Sequence, residues 1–249
     1  MNQIIVLPLE FKADALDFFV YPVVLKDENG LYLIDCALPH FLPVIEDAFQ
    51  KRGLQMQDIK KIIITHHDHD HMGALYEILE KYPSIEVLCS KEQAPYISGE
   101  KKSLRLLQVE EVYEMASPQE KEGMKGFINM IQSVQYISKA NINIIQDNEI
   151  LPICGGVKVI LSDGHMPGHI SLYLEKNRTL ISGDALVLEE RTLCIADETF
   201  VLNKEKEIEA IQKFCDYEIE KIICYHGGEY ESKNIKEELK VIAQKGYTI

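Results

Sequence analysis

Between an apolar run at residues 61–64 and a helix-like stretch at 73–81 stands Thr65-His66-His67-Asp68-His69-Asp70-His71-Met72-Gly73. Four imidazoles and two carboxylates in six consecutive positions do not enter an apolar core unpaired, because desolvating such groups without partners is costly. The run before them is short and β-rich, the pattern of a strand interior to a sheet. A strand that leads straight into such a cluster delivers it to a loop at the sheet's edge. Layered folds collect their reactive side chains at such edges. The chain is therefore constrained to a layered, β-containing fold with an imidazole-rich loop at one strand exit.

Three other strand-like runs end in the same manner. One leads into Asp163-Gly164-His165-Met166-Pro167-Gly168-His169, one into Ser182-Gly183-Asp184, and one into Tyr225-His226-Gly227-Gly228. Singly, each has a plain structural reading: His226 as a core histidine, Asp184 as a helix cap. Four such exits in one chain are much harder to explain by packing. Imidazole and carboxylate together are the usual donors to zinc, iron and manganese.

Around these points the chain reads as hairpins followed by alternating helix and strand. Strand-like runs fall at 4–7, 19–25, 31–34 and 85–89, and a helix at 43–53. Asp27-Glu28-Asn29-Gly30 supplies the residues of a hairpin turn. From about 91 to 140 helical spacing takes over, and we read a helical insertion in a β-rich scaffold. Leu104, Leu107, Glu111 and Met115 mark its first helix. Ser117 caps the next, with Pro118 at its first position and Glu120 at its third. Met124, Phe127, Ile128, Ile131 and Val134 line one face of that helix. Strands return at 142–145, 157–161, 170–174, 179–181 and 221–224, with helices at 205–217 and 234–244. A chain of 249 residues arranged so is expected to form one domain, 1–249.

Charge excludes some partners. Forty acidic residues against 26 basic give a net charge of −14, which repels phosphate backbones, so no nucleic acid is expected. No apolar run approaches membrane-spanning length, and the start lacks a basic region, which points to a cytoplasmic protein. The six cysteines, Cys36, Cys89, Cys154, Cys194, Cys215 and Cys224, form no CxxC pair and are expected reduced and mostly buried. A homodimer is compatible with these features.

With these motifs in hand, a family resemblance is plain. Residues 65–73 resemble the HxHxDH loop of the metallo-β-lactamase superfamily. Residues 163–169 resemble its Gly-His segment, Ser182-Gly183-Asp184 its bridging aspartate and His226 its last histidine, while Asp35 also matches a familiar position. The resemblance implies an α+β fold, a four-layer αββα sandwich. It implies two divalent metal ions, zinc first, with iron or manganese also possible. His66, Asp68 and His165 would hold one; Asp70, His71 and His226 the other; Asp184 would bridge them. Asp68 stands where the family usually has histidine, and a carboxylate shifts preference toward iron or manganese. His67 or His69 is the alternative ligand there, as His169 is to His165. His169 and Tyr225 are candidate substrate contacts; for each a packing or hydrogen-bonding role is the alternative.

The implied activity is hydrolysis of a small-molecule ester, lactone, thioester or related substrate by a metal-bridging hydroxide, with Asp70 orienting the nucleophile and relaying its proton. The insertion, through Met115, Met124, Phe127 or Met130, is the candidate wall of the substrate site. Two further readings compete with this one. One is a di-iron oxidoreductase related to flavodiiron proteins, which carry a carboxylate at the position of Asp68. The second is a non-catalytic binding protein on the same fold.

Overall fold

The computed structural model describes residues 2–13 and 16–246. The chain opens with β1 (Gln3–Val6), a hairpin of β2 (Leu9–Ala13) and β3 (Leu16–Val20), then β4 (Val23–Lys26), β5 (Leu31–Ile34), α1 (Leu42–Lys51) and β6 (Ile59–Ile63). The polar loop follows, leading into the single turn α2 (His69–Met72), then α3 (Leu75–Lys81) and β7 (Glu86–Ser90). Helices α4 (Ala94–Ile97), α5 (Leu104–Met115) and α6 (Pro118–Gln132) precede β8 (Ile142–Ile145), β9 (Ile150–Leu151), β10 (Val157–Leu161), β11 (Ile170–Leu174) and β12 (Thr179–Gly183). A hairpin of β13 (Val187–Glu189) and β14 (Thr192–Cys194), then α7 (Lys204–Phe214), β15 (Lys221–Cys224), β16 (Gly228–Glu231) and α8 (Ile235–Lys245), complete it.

Two six-stranded sheets result, ordered β1-β4-β5-β6-β7-β8 and β16-β15-β12-β11-β10-β9. β5, β11 and β12 are buried on both faces, so the period-two alternation shows in which core each side chain enters. In β5, Tyr32 and Ile34 enter the core between the sheets, whereas Leu31 and Leu33 face the layer of Ile45, Phe49, Leu75 and Ile78 from α1 and α3. In the second sheet, Leu172, Ile181 and Ile223 point inward. Tyr173, Leu180 and Ile222 point out toward Ile211, Phe214, Leu239 and Ile242 of α7 and α8. Helix, sheet, sheet and helix stack in that order, the four-layer αββα sandwich.

Three features depart from the sequence reading. The run 19–25 is broken by Tyr21-Pro22, because proline cannot donate to the ladder; β3 ends before it and β4 starts after it. The short hairpin β13–β14 and the strand β16 had no periodicity long enough to mark them. In the insertion, α5 forms where expected but buries Arg105, Leu106 and Val109, while Leu107 and Met115 are exposed. Helix α6 has the anticipated capping box: Ser117 accepts from the Glu120 backbone and Glu120 accepts from the Ser117 backbone. Its Met124, Phe127, Ile128 and Ile131 pack with Leu106 and Val109. All six cysteines are free, five of them buried. Among the described residues no helix is long and apolar enough to cross a membrane.

Candidate metal centre

The strand exits meet at one edge of the sandwich. After β6, the Thr65 carbonyl accepts from the Ile170 backbone at the start of β11, joining the two sheets beside the polar loop. After β10 the chain turns at Gly164, whose φ of +144° and backbone contact with α7 exclude a side chain: a Cβ there would lie 2.4 Å from the Glu207 backbone. That turn aims His165 inward. Asp184 follows β12 and His226 follows β15, two strands that run parallel and side by side.

The converging atoms form one cluster around Asp184. Its Oδ2 lies 3.2 Å from His71 Nε2, 3.4 Å from His226 Nε2, 3.5 Å from His165 Nε2 and 3.9 Å from His66 Nε2. Asp68 Oδ2 is 3.5 Å from His66 Nε2 and 3.3 Å from His165 Nε2. On the other side Asp70 Oδ2 is 3.2 Å from His226 Nε2 and 4.0 Å from His71 Nε2. Three overlapping groups have ligand atoms within 4.8 Å of one another: His66, Asp68 and His165; His66, His71 and Asp184; Asp70, His71 and His226. His66 Nε2, His71 Nε2 and Asp184 Oδ1 are buried without a hydrogen-bond partner. Orphaned polar atoms are rare in folded proteins. Imidazole and carboxylate orphans aimed at a common centre are what a divalent ion would satisfy, so the donor set fits one.

Groups behind the ligands fix their orientation. Asp35, at the end of β5, accepts from the Thr65 backbone (2.8 Å) and hydroxyl (2.7 Å), and from His71 Nδ1 (2.8 Å). That bond places the His71 proton on Nδ1 and turns Nε2 toward the centre. His169 is buried with both nitrogens engaged: Nδ1 pairs with the Ser162 hydroxyl at 2.8 Å, and Nε2 accepts from the Asp184 backbone at 3.1 Å. Tyr225 donates to the Asp70 carbonyl at 2.5 Å, and its ring lies 3.8 Å from that of His71. Tyr225 thus braces the ligand loop and His169 the turn that carries Asp184, the hydrogen-bonding role that was the alternative for each.

Of the two remaining histidines of the loop, His67 is engaged elsewhere, whereas His69 Nδ1 is buried without a hydrogen-bond partner. His67 is taken up by Gln93, 2.7 Å from Nδ1, by the Leu104 backbone donating to Nε2, and by stacking on Tyr96. His69 lies edge-on to Phe127 at the pocket wall. Asp68, not either neighbour, sits with His66 and His165. Sequence reasoning missed two supports. Arg105 Nη2 donates to Asp68 Oδ2 at 2.8 Å, and buried Glu207 accepts from the His165 backbone. A single arginine or glutamate on an amphipathic helix carries no signal of such a long-range partner.

Electrostatics follow from this crowding. Burial and the neighbouring His71 push His66 down to about 3. Burial acts against charge on His226 as well, but Asp184 and Asp70 outweigh it and raise that imidazole to about 10. Burial alone would raise Asp68; the Arg105 guanidinium, with hydrogen bonds from His165 and His66, holds it well below the usual carboxylate range.

Beside the centre opens a pocket of about 390 Å³, lined by Phe18, Phe127, Val187, Leu188 and Phe200, with Glu189 and Asp197 among its polar groups. Of the insertion's four candidate wall residues Phe127 lines it, while Met115 is 77% exposed and Met124 packs within the insertion.

An αββα sandwich with a buried histidine–aspartate cluster at its strand exits defines a metal-binding hydrolase class. The chain belongs to the metallo-beta-lactamase superfamily, whose family model matches residues 16–226. It is 28% identical over 244 residues to the "Probable metallo-hydrolase YflN" of Bacillus subtilis (strain 168), covering 91% of this chain and 86% of that one. Among solved structures it resembles a metallo-beta-lactamase family protein, TTHA1429 from Thermus thermophilus, with a TM-score of 0.70 and 20% identity over 97% of this chain and 78% of the other. A chemotaxis sensor, ODP, described with a peroxy diiron species, shares the fold with a TM-score of 0.64 at 15% identity, over 97% of this chain and 90% of the sensor.

Proposed function

We propose that the chain hydrolyses an ester, lactone, thioester or related small molecule with two divalent ions, zinc before iron or manganese. The carrying observation is the position of Asp184 Oδ2 within 3.9 Å of four imidazole nitrogens, with Asp68 and Asp70 on either side. His66, Asp68 and His165 would hold one ion and Asp70, His71 and His226 the other, with Asp184 between. Bound there, such ions lower the pKa of water and polarise a carbonyl oxygen.

The chain's own groups supply the rest. Asp70 lines the pocket, so its carboxylate can take the proton of an attacking water and pass it to the leaving group. Phe18, Phe127 and Phe200 make the pocket largely apolar, which excludes water and strengthens charge interactions at the reacting carbonyl. Glu189 and Asp197, together with the net charge of −14, favour a neutral acyl group over an anionic one.

Asp68 favours a second reading, a di-iron oxidoreductase, because carboxylate donors suit iron. Arg105 weakens it, since that carboxylate already shares its charge with a guanidinium.

Asp184→Ala and His226→Ala test the hydrolase reading. Each is expected to lower metal content and abolish turnover of ester, lactone and thioester probes. Full metal content and activity in either would refute it. Phe127→Ala is expected to change selectivity among acyl chain lengths with metal content unchanged; loss of metal instead would give Phe127 a structural role.

A further inference from the structure

Among the described residues, Arg105 is the guanidinium drawn into the centre, and the proposed hydrolysis does not use it. It sits in the first turn of α5, just after the Ser103 cap, and is 2% exposed. Its guanidinium is pinned on three sides. Nε lies 3.3 and 3.1 Å from the two Asp68 oxygens, and Nη2 lies 2.8 Å from Asp68 Oδ2. Nη1 donates to Gln108 Oε1 at 2.6 Å, and Nη2 also donates to the Phe200 carbonyl at 2.9 Å. Nη2 is 3.3 Å from His165 Nε2 as well.

These contacts are unequally shared between the two ligand groups. Asp68 Oδ2 and His165 Nε2 belong to the first group, with His66, and the guanidinium approaches both. Among the described residues, the ion-pair partners of Asp70 and Asp184 are all imidazoles of the cluster and its loop, and none is a guanidinium. A guanidinium is a cation with donors only, so it cannot serve as a metal ligand. A divalent ion at the first group would have a guanidinium beside it that holds Asp68 Oδ2 and approaches His165 Nε2; at the second, the contacts are among the would-be ligands themselves.

Resting on the metal-centre reading above, we propose that Arg105 sets the order of metal loading. It makes the His66–Asp68–His165 position the weaker one, filled after the Asp70–His71–His226 position. Arg105 is a positioning residue that acts through Asp68.

The test is a zinc titration of the metal-free protein against a chromophoric chelator. Wild type is expected to show two separated affinities. Arg105→Gln is expected to tighten the weaker one by about tenfold or more, leaving the stronger within about threefold. Arg105→Lys, which keeps the charge, is expected to stay near wild type. Unchanged or weakened binding at the weaker position in Arg105→Gln, with the stronger one intact, overturns the proposal while leaving the metal centre standing. No zinc binding by wild type overturns both. Should Arg105→Gln fail to fold, wild-type crystals given one equivalent of zinc decide. Anomalous density at Asp70–His71–His226 supports the proposal, and density at His66–Asp68–His165 overturns it.

Discussion

Asp35→Asn removes one charge and almost no volume, and it exposes how the second ligand group is prepared. Asp35 adopts φ of +59°, a left-handed conformation that asparagine tolerates, so the backbone is not the variable. Its Oδ2 accepts from His71 Nδ1 at 2.8 Å and from the Thr65 hydroxyl at 2.7 Å, while Oδ1 accepts from the Thr65 backbone at 2.8 Å. An amide cannot accept on both sides. If its oxygen keeps the Thr65 backbone, its NH2 faces the His71 proton, and the imidazole must move that proton to Nε2, the atom 3.2 Å from Asp184. If the amide turns over, two N–H donors face each other in a buried site. Loss of a charge-assisted hydrogen bond of this kind costs about 1.5–3 kcal/mol of stability. At about 2–4 °C per kcal/mol for a domain of this size, the melting temperature of metal-free protein should fall measurably. Zinc affinity at the second position should drop about 10–100-fold, read by chelator competition. Wild-type zinc affinity in Asp35→Asn would refute the argument that this carboxylate selects the His71 tautomer.

Two further outcomes follow from the supports. Gly183→Ala places a methyl 2.6 Å from His169 Nε2 at φ of +56°, displacing the ring that accepts from the Asp184 backbone; thermal melts should show a loss of about 1–3 kcal/mol and elemental analysis a reduced metal content. Burial raises the Glu207 carboxyl well above its ordinary 4.5, so the folded state favours the protonated form. Its stabilisation is complete below pH of about 4.5 and is lost as pH rises toward the raised value. Urea midpoints of wild type should therefore decline relative to Glu207→Gln as pH rises above about 4.5, and parallel profiles would refute the assignment.

Much of this was legible in the sequence because its signals are local. The strands 31–34, 142–145, 157–161, 170–174 and 221–224 coincide with β5, β8, β10, β11 and β15, each a run of apolar or β-branched residues ending where turn chemistry begins. The donor residues were legible for the same reason, since each stands just past such a run. What was not legible depends on distant partners. Arg105 looks like any helix cation until α5 brings it to Asp68, 37 residues away in sequence. His169 and Tyr225 sit beside donor residues in sequence, yet their polar atoms are spent on Asp184, Ser162 and Asp70. Adjacency in the chain cannot tell a ligand from the group that braces it, because neighbouring side chains leave a loop in different directions. The spacing marks α5 without saying which side it buries: Leu106 and Val109 go inward while Leu107 and Met115 are exposed, and only tertiary packing chooses between the two apolar stripes.

The central claim, that the buried histidine–aspartate cluster holds two divalent ions, is tested most directly by metal stoichiometry. Elemental analysis of protein without an affinity tag, equilibrated with excess zinc and freed of unbound ion, should give two equivalents per chain in wild type and fewer in Asp184→Ala. Saturation at one equivalent or none, or an Asp184→Ala variant that still holds two, would contradict it.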